Sequence, residues 1–496
     1  MISFNDFFIF EMANNHQGDV NHGVKIIKEM ARIAKKYNLN AGVKLQYRHL
    51  DTFIHPEFRG NKEAKHIGRF LSTELTAAQF LILVKAIKDE GLITVCTPFD
   101  EKSVDLIEEH EIEVIKIASC SADDWPLLTR IAKSQKPTIT STGGLQLSQI
   151  DKTLSYLTHR LEKVAVLHCV GSYPTPINQL NMNFIEKMKS RYTGVTVGYS
   201  GHEAPDNLDV IKIALAKGAK IFERHVGQPT DKIKLNDYSM NPAQVEKWIE
   251  AFLTAKSILG NEIKEITDSE IESLLSLKRG VFLNKPIKKG NFVSSDDVFF
   301  AMPCSPGQIT SGEFGRIRAR YIASKDYVEN EALIEKYTED TYHKIRDIIH
   351  QAKGLLAETN IVLSNNYTVE LNHHYGLENY NRFGCLIVNL INREYCKKII
   401  VVFPGQHHPE QKHMKKEETF HVLFGDLNLT LNGITHKLTR GDIVTIERGV
   451  LHSFYSDRGA VIEEVSTTHF INDSYYTDPL ISEQDPMARK TVIKSL

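Results

Sequence analysis

Two histidines mark the ends of two successive strand-like runs: the segment TVGYSGHE carries His202, and KIFERHVGQ carries Glu223 and His225. If those runs are neighbouring parallel strands, the two imidazoles meet at one rim, where they can hold a divalent metal. Two lysines fall inside other runs, Lys44 beside Val43 and Lys116 beside Ile115. A charge embedded among β-branched residues is poorly explained as a solvated strand end, so both lysines read as groups that meet a ligand. Glu11 and Glu223 add carboxylates suited to proton handling or to holding substrate hydroxyls. Glu223 precedes His225 by two residues, so the two share one side of a strand, and Glu223 can serve equally as a group that orients the histidine.

The elements that must position these groups repeat a strand-then-helix rhythm about eight times over the first 260 residues. The strand-like runs are FFIFEMA, AGVKLQ, ITVCTPF, VIKIAS, PTITST, VAVLHCV, TVGYS and KIFERHV, separated by helical stretches such as HGVKIIKEMARIAKKY and AAQFLILVKAIKDEG. That alternation predicts a (β/α)8 TIM barrel, an α/β fold whose strand ends build the active site. The runs close on Glu11, Lys44 with Gln46, Thr97, Lys116 with Ser119, Thr142, His168, Tyr199 with Ser200, and Glu223 with His225. Stability does not require such endings, so together they define a candidate site.

In this order FIFEMANNHQGD, VKLQ, CTPFD, KIAS, STGG, LHCVGSYPTP, VGYSGHE and ERHV resemble the sialic acid synthases, a phosphoenolpyruvate-dependent family. The likeness spans about residues 5 to 335. It implies that phosphoenolpyruvate condenses with an open-chain aldose to give a 2-keto-3-deoxy sugar acid of the nonulosonate type, for surface polysaccharide. It further implies Mn2+ or Mg2+ on His202 and His225, with Lys44 and Lys116 as point charges for the donor's carboxylate and phosphate. Thr97, Ser119, Ser141, Thr142 and Gly143 would add hydrogen-bond donors. Glu11 opens the first motif and takes the leading catalytic place beside Glu223. Gln46, Tyr173, Thr175, Tyr199, Ser200 and Asp237 are expected to contact substrate. The family's SDHT is SGHE here, with Gly201 and Glu203 in place of Asp and Thr, so the departures are expected on the acceptor side.

Residues 275–336 read as short strands with turns at KKGN and SPGQ and resemble the antifreeze-like (SAF) domain of the same family. The resemblance implies a domain-swapped homodimer in which this domain covers the partner's barrel. Met302 stands where the family has an arginine, and a thioether cannot replace a guanidinium fork. Arg316, Arg318 and Arg320 are nearby alternatives. Residues 337–358 then predict a helical linker with Ile345, Ile348, Ile349, Ala352, Leu355 and Leu356 on one stripe.

Alternating runs beyond residue 359 predict an antiparallel barrel to about residue 480. GQHHPEQKHMKKEETFHVLFG and GDIVTIERGVLHSF resemble the two cupin motifs, which implies His413, Glu418 and His452 as ligands for Zn2+, Mn2+ or Fe2+. Gln411 takes the place of the first cupin histidine and can ligate through its carbonyl oxygen, more weakly than imidazole. His407, His408 and His421 read as surface or supporting groups, and Lys415 or Lys416 as mouth residues. Such a run also resembles sugar isomerases, against the alternative of a passive lid or dimerisation module.

Composition agrees with an ordinary enzyme. The 60 Lys and Arg against 62 Asp and Glu favour neither nucleic acid nor an acidic membrane surface. The start lacks a signal-peptide pattern, and no run approaches the roughly 20 apolar residues of a membrane span. Six scattered cysteines without a CxxC pair fit reduced thiols and a cytoplasmic setting. Two other classes use the same residues: a Schiff-base aldolase or lyase on Lys44 or Lys116, and an inactive sugar-sensing scaffold.

Overall fold

In the computed structural model, residues 2–59, 65–261, 264–315, 319–335, 341–494 and 496 are described. The chain divides into two compact units, Met1–Lys264 and Glu265–Leu496. The first is a closed barrel of eight parallel strands: β1 (Phe7–Glu11), β2 (Asn40–Tyr47), β3 (Ile93–Pro98), β4 (Val114–Ile117), β5 (Thr138–Ser141), β6 (Val164–Cys169), β7 (Thr196–Gly201) and β8 (Ile221–His225), with β8 closing on β1.

Period-two alternation separates two layers. Outward residues, including Phe8, Phe10, Val43, Ile115, Val166 and Phe222, pack beneath the surrounding helices. Inward residues Phe7, Ile9, Val95, Val114, Ile139, Leu167 and Ile221 fill the amino-terminal half of the barrel. One step further along the same inward rows the chemistry changes: Ile9 gives way to Glu11, Val95 to Thr97, Val114 to Lys116, Ile139 to Ser141, and Ile221 to Glu223 and His225. The apolar half is a plug, and the polar half is a cup. Close strand approach at the plug explains Gly198, where a Cβ would lie 2.5 Å from the Ile221 carbonyl oxygen.

The helices use ordinary signals. Val20–Lys36 starts at Asp19, whose side chain accepts from the Asn21 and His22 amides, and buries Ile26, Ile27, Met30 and Ile33. Among the described residues no single helix is long and apolar enough to cross a membrane; the bent pair His66–Ser72 and Ala77–Asp89 passes by length and composition together, but Leu83, Val84 and Ile87 of it are barrel core.

The second unit begins with two small antiparallel pairs, β9 (Gly280–Leu283) with β11 (Val298–Ala301) and β10 (Phe292–Val293) with β12 (Tyr321–Ile322), around Val281, Leu283, Tyr321, Tyr327 and Leu333. The remainder is the antiparallel cupin: β13 (Thr368–His373), β14 (Gly384–Asn392), β15 (Tyr395–Val402), β16 (His407–Lys412), β17 (Glu418–Leu431), β18 (Ile434–Thr439), β19 (Ile443–Ile446), β20 (His452–Tyr455), β21 (Ala460–Thr467), β22 (Tyr475–Tyr476) and β23 (Lys490–Ile493). Its inner face carries Cys385, Ile400, Phe420, Val422, Leu429 and Phe454.

The helix expected as a linker covers the outer face of this sheet. Thr341–Thr359 buries Ile348, Ala352 and Leu356 against Val369, Leu371, Leu386 and Val401. At the other end β23 pairs with β13, ten residues past the expected limit at 480. Its sequence, KTVI in a polar tail, is too short and too weakly alternating to announce a strand.

Candidate active site

The barrel's polar cup is built by register. Glu11 lies opposite Lys44 on one side and His225 on the other. The Lys44 ammonium stands 2.5 Å from Glu11 Oε2 and 2.9 Å from Glu223 Oε1, and Lys116 is 3.4 Å from the same Glu223 oxygen. Ser200 donates to Glu223 Oε1 at 2.7 Å, and the Ala13 amide donates to Glu11 Oε1 at 2.7 Å. All four charged groups are buried.

Their environments push them apart. Burial raises the Glu11 carboxyl above the usual range, and Lys44 only partly opposes this while the charge on Glu223 adds to it. Burial works against Glu223 too, but Lys116 and Lys44 together outweigh it and hold this carboxylate well below its ordinary range. Burial likewise opposes the charge on Lys44, yet two carboxylates keep that ammonium protonated, whereas Lys116 with its longer single contact is pulled down. The cup therefore holds one fixed carboxylate, Glu223, and one fixed ammonium, Lys44, beside two groups that burial pushes towards their neutral forms, Glu11 and Lys116.

Across the cup the His202 and His225 rings lie 5.4 Å apart, flanked by Tyr173 at 4.1 Å from His202 and Tyr238 at 5.1 Å from His225. Burial lowers His202 to about 4 and holds His225 well below its usual value, so both rings are neutral, the form that binds metal. With Nδ1–H donated to the Val170 carbonyl at 3.1 Å, His202 presents a bare Nε2. Among the described residues no third His, Cys or carboxylate completes a three-ligand set here. The donor set fits an ion held by two imidazoles with its remaining positions open.

Among the described residues Thr97 Oγ1, Ser141 Oγ and Glu223 Oε2 are buried in the lumen without a hydrogen-bond partner. Ser119 Oγ, which accepts from the Gly143 amide at 2.9 Å, closes the same wall; a Cβ at Gly143 would fall 2.8 Å from that oxygen. Thr142 is turned instead to the Leu167 carbonyl at 3.1 Å. Thr175 serves the backbone, its amide donating to His202 O at 2.9 Å and its hydroxyl to Ser172 O at 2.7 Å.

Several expected residues belong elsewhere. Tyr199 is outward by parity and joins the helix-packing core; its hydroxyl donates to Glu203 Oε2 at 2.8 Å. Glu203, expected on the acceptor side, is buried in an ion pair with Arg224, which also donates to the Glu203 carbonyl at 2.7 Å. Gly201 makes room for that carboxylate, since a Cβ there would come within 2.4 Å of Glu203 Oε2. The two departures in SGHE are thus one linked change behind the barrel wall. Asp237 is exposed, while its neighbour Tyr238 carries the ring that meets both histidines. Met302 is 61% exposed, Arg320 is exposed, and Arg316 and Arg318 lie outside the described residues.

The cupin builds a second centre. Glu418 Oε1 lies 3.0 Å from His452 Nε2 and 3.7 Å from His413 Nε2, and Gln411 Nε2 is 3.5 Å from His452 Nε2. Each histidine is held through its other nitrogen by a backbone carbonyl, His413 by Asp473 at 2.6 Å and His452 by Val450 at 3.1 Å. That fixes the tautomer and aims both Nε2 atoms inward. Among the described residues Gln411 Oε1, His413 Nε2 and Glu418 Oε1 are buried without a hydrogen-bond partner, which fits a set of atoms that could hold a metal ion. Lys416, expected at the mouth, is buried between Glu418 and Glu464, the latter at 2.9 Å. His408 is buried too, its ring stacked 4.5 Å from Phe454.

The NeuB family pattern matches residues 30–264, and the cupin domain pattern matches residues 398–462. A solved Chromobacterium violaceum protein of the spore coat polysaccharide biosynthesis protein E type is 45% identical, with a TM-score of 0.63 over 66% of this chain and 98% of its own. The Methanocaldococcus jannaschii protein MJ1065 is 31% identical over 301 residues, covering 60% of this chain and 85% of that one. The N,N'-diacetyllegionaminic acid synthase of Campylobacter jejuni is 27% identical over 341 residues, covering 66% and 98%.

Proposed function

The chain belongs to the NeuB family of sialic acid synthase homologues and carries a C-terminal cupin domain, and from that premise we propose that its barrel joins phosphoenolpyruvate to an open-chain aldose. In this reaction C3 of phosphoenolpyruvate forms a bond to the aldehyde carbon, water adds at C2, and phosphate leaves. The products are a nonulosonate-type 2-keto-3-deoxy sugar acid and phosphate, a transferase reaction suited to surface polysaccharide synthesis in the cytoplasm.

Lys44 and Lys116 supply the cations for the donor's carboxylate and phosphate, with Thr97, Ser141 and Ser119, whose oxygen the Gly143 amide holds in place, as hydrogen-bonding partners. Gln46, Tyr173 and Ser200 line the cup beside the acceptor, with Asp237 at its rim. His202 and His225 would hold Mn2+ or Mg2+, which when bound supplies Lewis-acid polarisation of the aldehyde oxygen. Glu11 would take the general-acid role at that oxygen as negative charge develops, a role its burial-raised carboxyl favours. Glu223 stays ionised and, with Ser200, fixes both lysines.

The observation that carries this reading is the Glu11–Lys44–Glu223–Lys116 network facing two neutral histidines. The test is phosphate release from phosphoenolpyruvate with a panel of aldoses, with and without EDTA. Metal-dependent release supports it. Product formation that survives EDTA and is trapped by borohydride on a lysine would replace it with a Schiff-base aldolase, for which Lys44, pinned by two carboxylates, is unsuited and Lys116 is the available amine. No release with any acceptor would leave a sugar-sensing scaffold.

The cupin would hold Zn2+, Mn2+ or Fe2+ on His413, Glu418 and His452, with Gln411 as a weaker fourth ligand. A metal there could serve sugar isomerisation, with a passive lid or dimerisation module as the alternative. Residues 275–336 would form the antifreeze-like domain of a swapped homodimer, in which the exposed Phe300 and Met302, on one parity of the β11 run, offer apolar surface to cover.

A further inference from the structure

Three cations stand on the inward parity of the barrel's first wall: Lys44 and Arg48 on or just past β2, and Lys116 on β4. Lys44 and Lys116 are paired with carboxylates. Arg48 is not: among the described residues no carboxylate lies within ion-pair distance of it. Its guanidinium is clamped between two rings, 3.6 Å from the Phe99 centroid and 4.2 Å from that of Phe70. One amino group donates to Gln46 Oε1 at 2.9 Å, and Nε is buried with no partner. A small cleft opens at this point, lined by Asn14, His16, Gln46, Arg48 and Phe70, with the Glu74 carboxylate also on its wall but beyond ion-pair distance of Arg48. Burial lowers the guanidinium to about 10, which still leaves it charged at neutral pH.

A cation removed from water without a counter-charge is costly. Stacking on Phe70 and Phe99 offsets part of that cost and fixes the plane of the group. It leaves Nε unsatisfied, and a fork held in one plane is suited to two parallel bonds to a planar or tetrahedral anion. Arg48 follows Lys44 and Gln46 towards the mouth, with strand residues rising about 6.6 Å per pair. The cations deeper in the cup serve the donor, so the outer one faces whatever extends outward from the reacting carbon.

Resting on the reading of the barrel given above, we propose that Arg48 receives an anionic group, a phosphate or a carboxylate, on the far end of the acceptor sugar. Arg48 is then a specificity-determining residue: it favours acceptors that carry this charge over neutral sugars of the same length.

The test compares kcat/KM for paired acceptors in the full chain: arabinose 5-phosphate against arabinose, N-acetylmannosamine 6-phosphate against N-acetylmannosamine, and glucuronate against glucose. The wild type should favour the charged member of at least one pair by about 100-fold, and Arg48→Met should cut that ratio at least thirtyfold. The phosphate and uronate arms identify which anion is read. Equal loss on charged and neutral acceptors, a neutral preference in the wild type, or a rise confined to the KM of phosphoenolpyruvate would overturn the proposal. Calorimetric titration of the same sugar phosphates and of glucuronate into the His202→Ala, His225→Ala chain separates this from the barrel reading. Binding there that Arg48→Met removes sustains the anion site even if no aldose is turned over, and absence of any binding sinks it.

Discussion

The barrel cup and the cupin cavity use the same parts differently. Each holds a pair of histidines, and each holds buried lysines beside buried glutamates. In the cupin, Glu418 is shared between Lys416 and the two imidazoles, so the acid completes a three-ligand set. In the barrel, both carboxylates are turned to lysines and neither joins the histidines. A closed set favours tight, persistent metal. An open pair would leave positions for substrate oxygens, so an ion held there would bind more weakly and make itself felt in turnover.

The largest expected effect tests the open pair. His202→Ala or His225→Ala should lower kcat by three or more orders of magnitude, the several kcal/mol of a lost Lewis acid, with unchanged circular dichroism. Full turnover by the double variant would remove the metal from the mechanism.

Next comes the closed set. His413→Ala should empty the cupin by elemental analysis while metal-activated phosphate release in the barrel persists; loss of both together would erase the distinction. Glu418→Ala should add a stability cost of about 3–5 kcal/mol, because Lys416 loses one of its two buried partners.

Glu203→Gln probes the wall between the cup and the helices. It breaks a fully buried pair with Arg224 and should cost a similar ~3–5 kcal/mol, about 10 °C in the barrel's Tm, while leaving the KM for the acceptor in place. A large change in acceptor KM without a change in Tm would return Glu203 to the substrate side.

The last effect is shared among four rings. Burial lowers His16, His202 and His413 to about 4 and His374 to about 3. These folded values lie below the unfolded value near 6.5, so the stability they contribute is present above that pH and is lost as pH falls towards 4. Metal-free protein should lose Tm progressively from pH 6.5 to pH 4.5, and a flat profile across that window would contradict the burial of these rings.

The eight runs and their reactive ends were legible because a barrel strand repeats one pattern, apolar residues and then a polar tip. Parity within a run was legible too, although run endings alone do not use it: Ser200 aligns with Glu223 across β7 and β8, which turns Tyr199 and Gly201 to the outside. Lys416 reads as a mouth residue because nothing local reveals that Glu464, 48 positions away, supplies its buried counter-charge. Arg48 passed unnoticed because the phenylalanine that clamps it most closely, Phe99, is 51 residues further on and belongs to a different strand's end.

The helix Thr341–Thr359 sets where this chain can be divided. A fragment cut at residue 360, the choice if the helix were only a tether, would leave Val369, Leu371, Leu386 and Val401 bare as a greasy plate and would clump or be retained by chaperones. A fragment starting near residue 341 keeps its own cover, so recovery of soluble cupin should switch on across those nineteen residues.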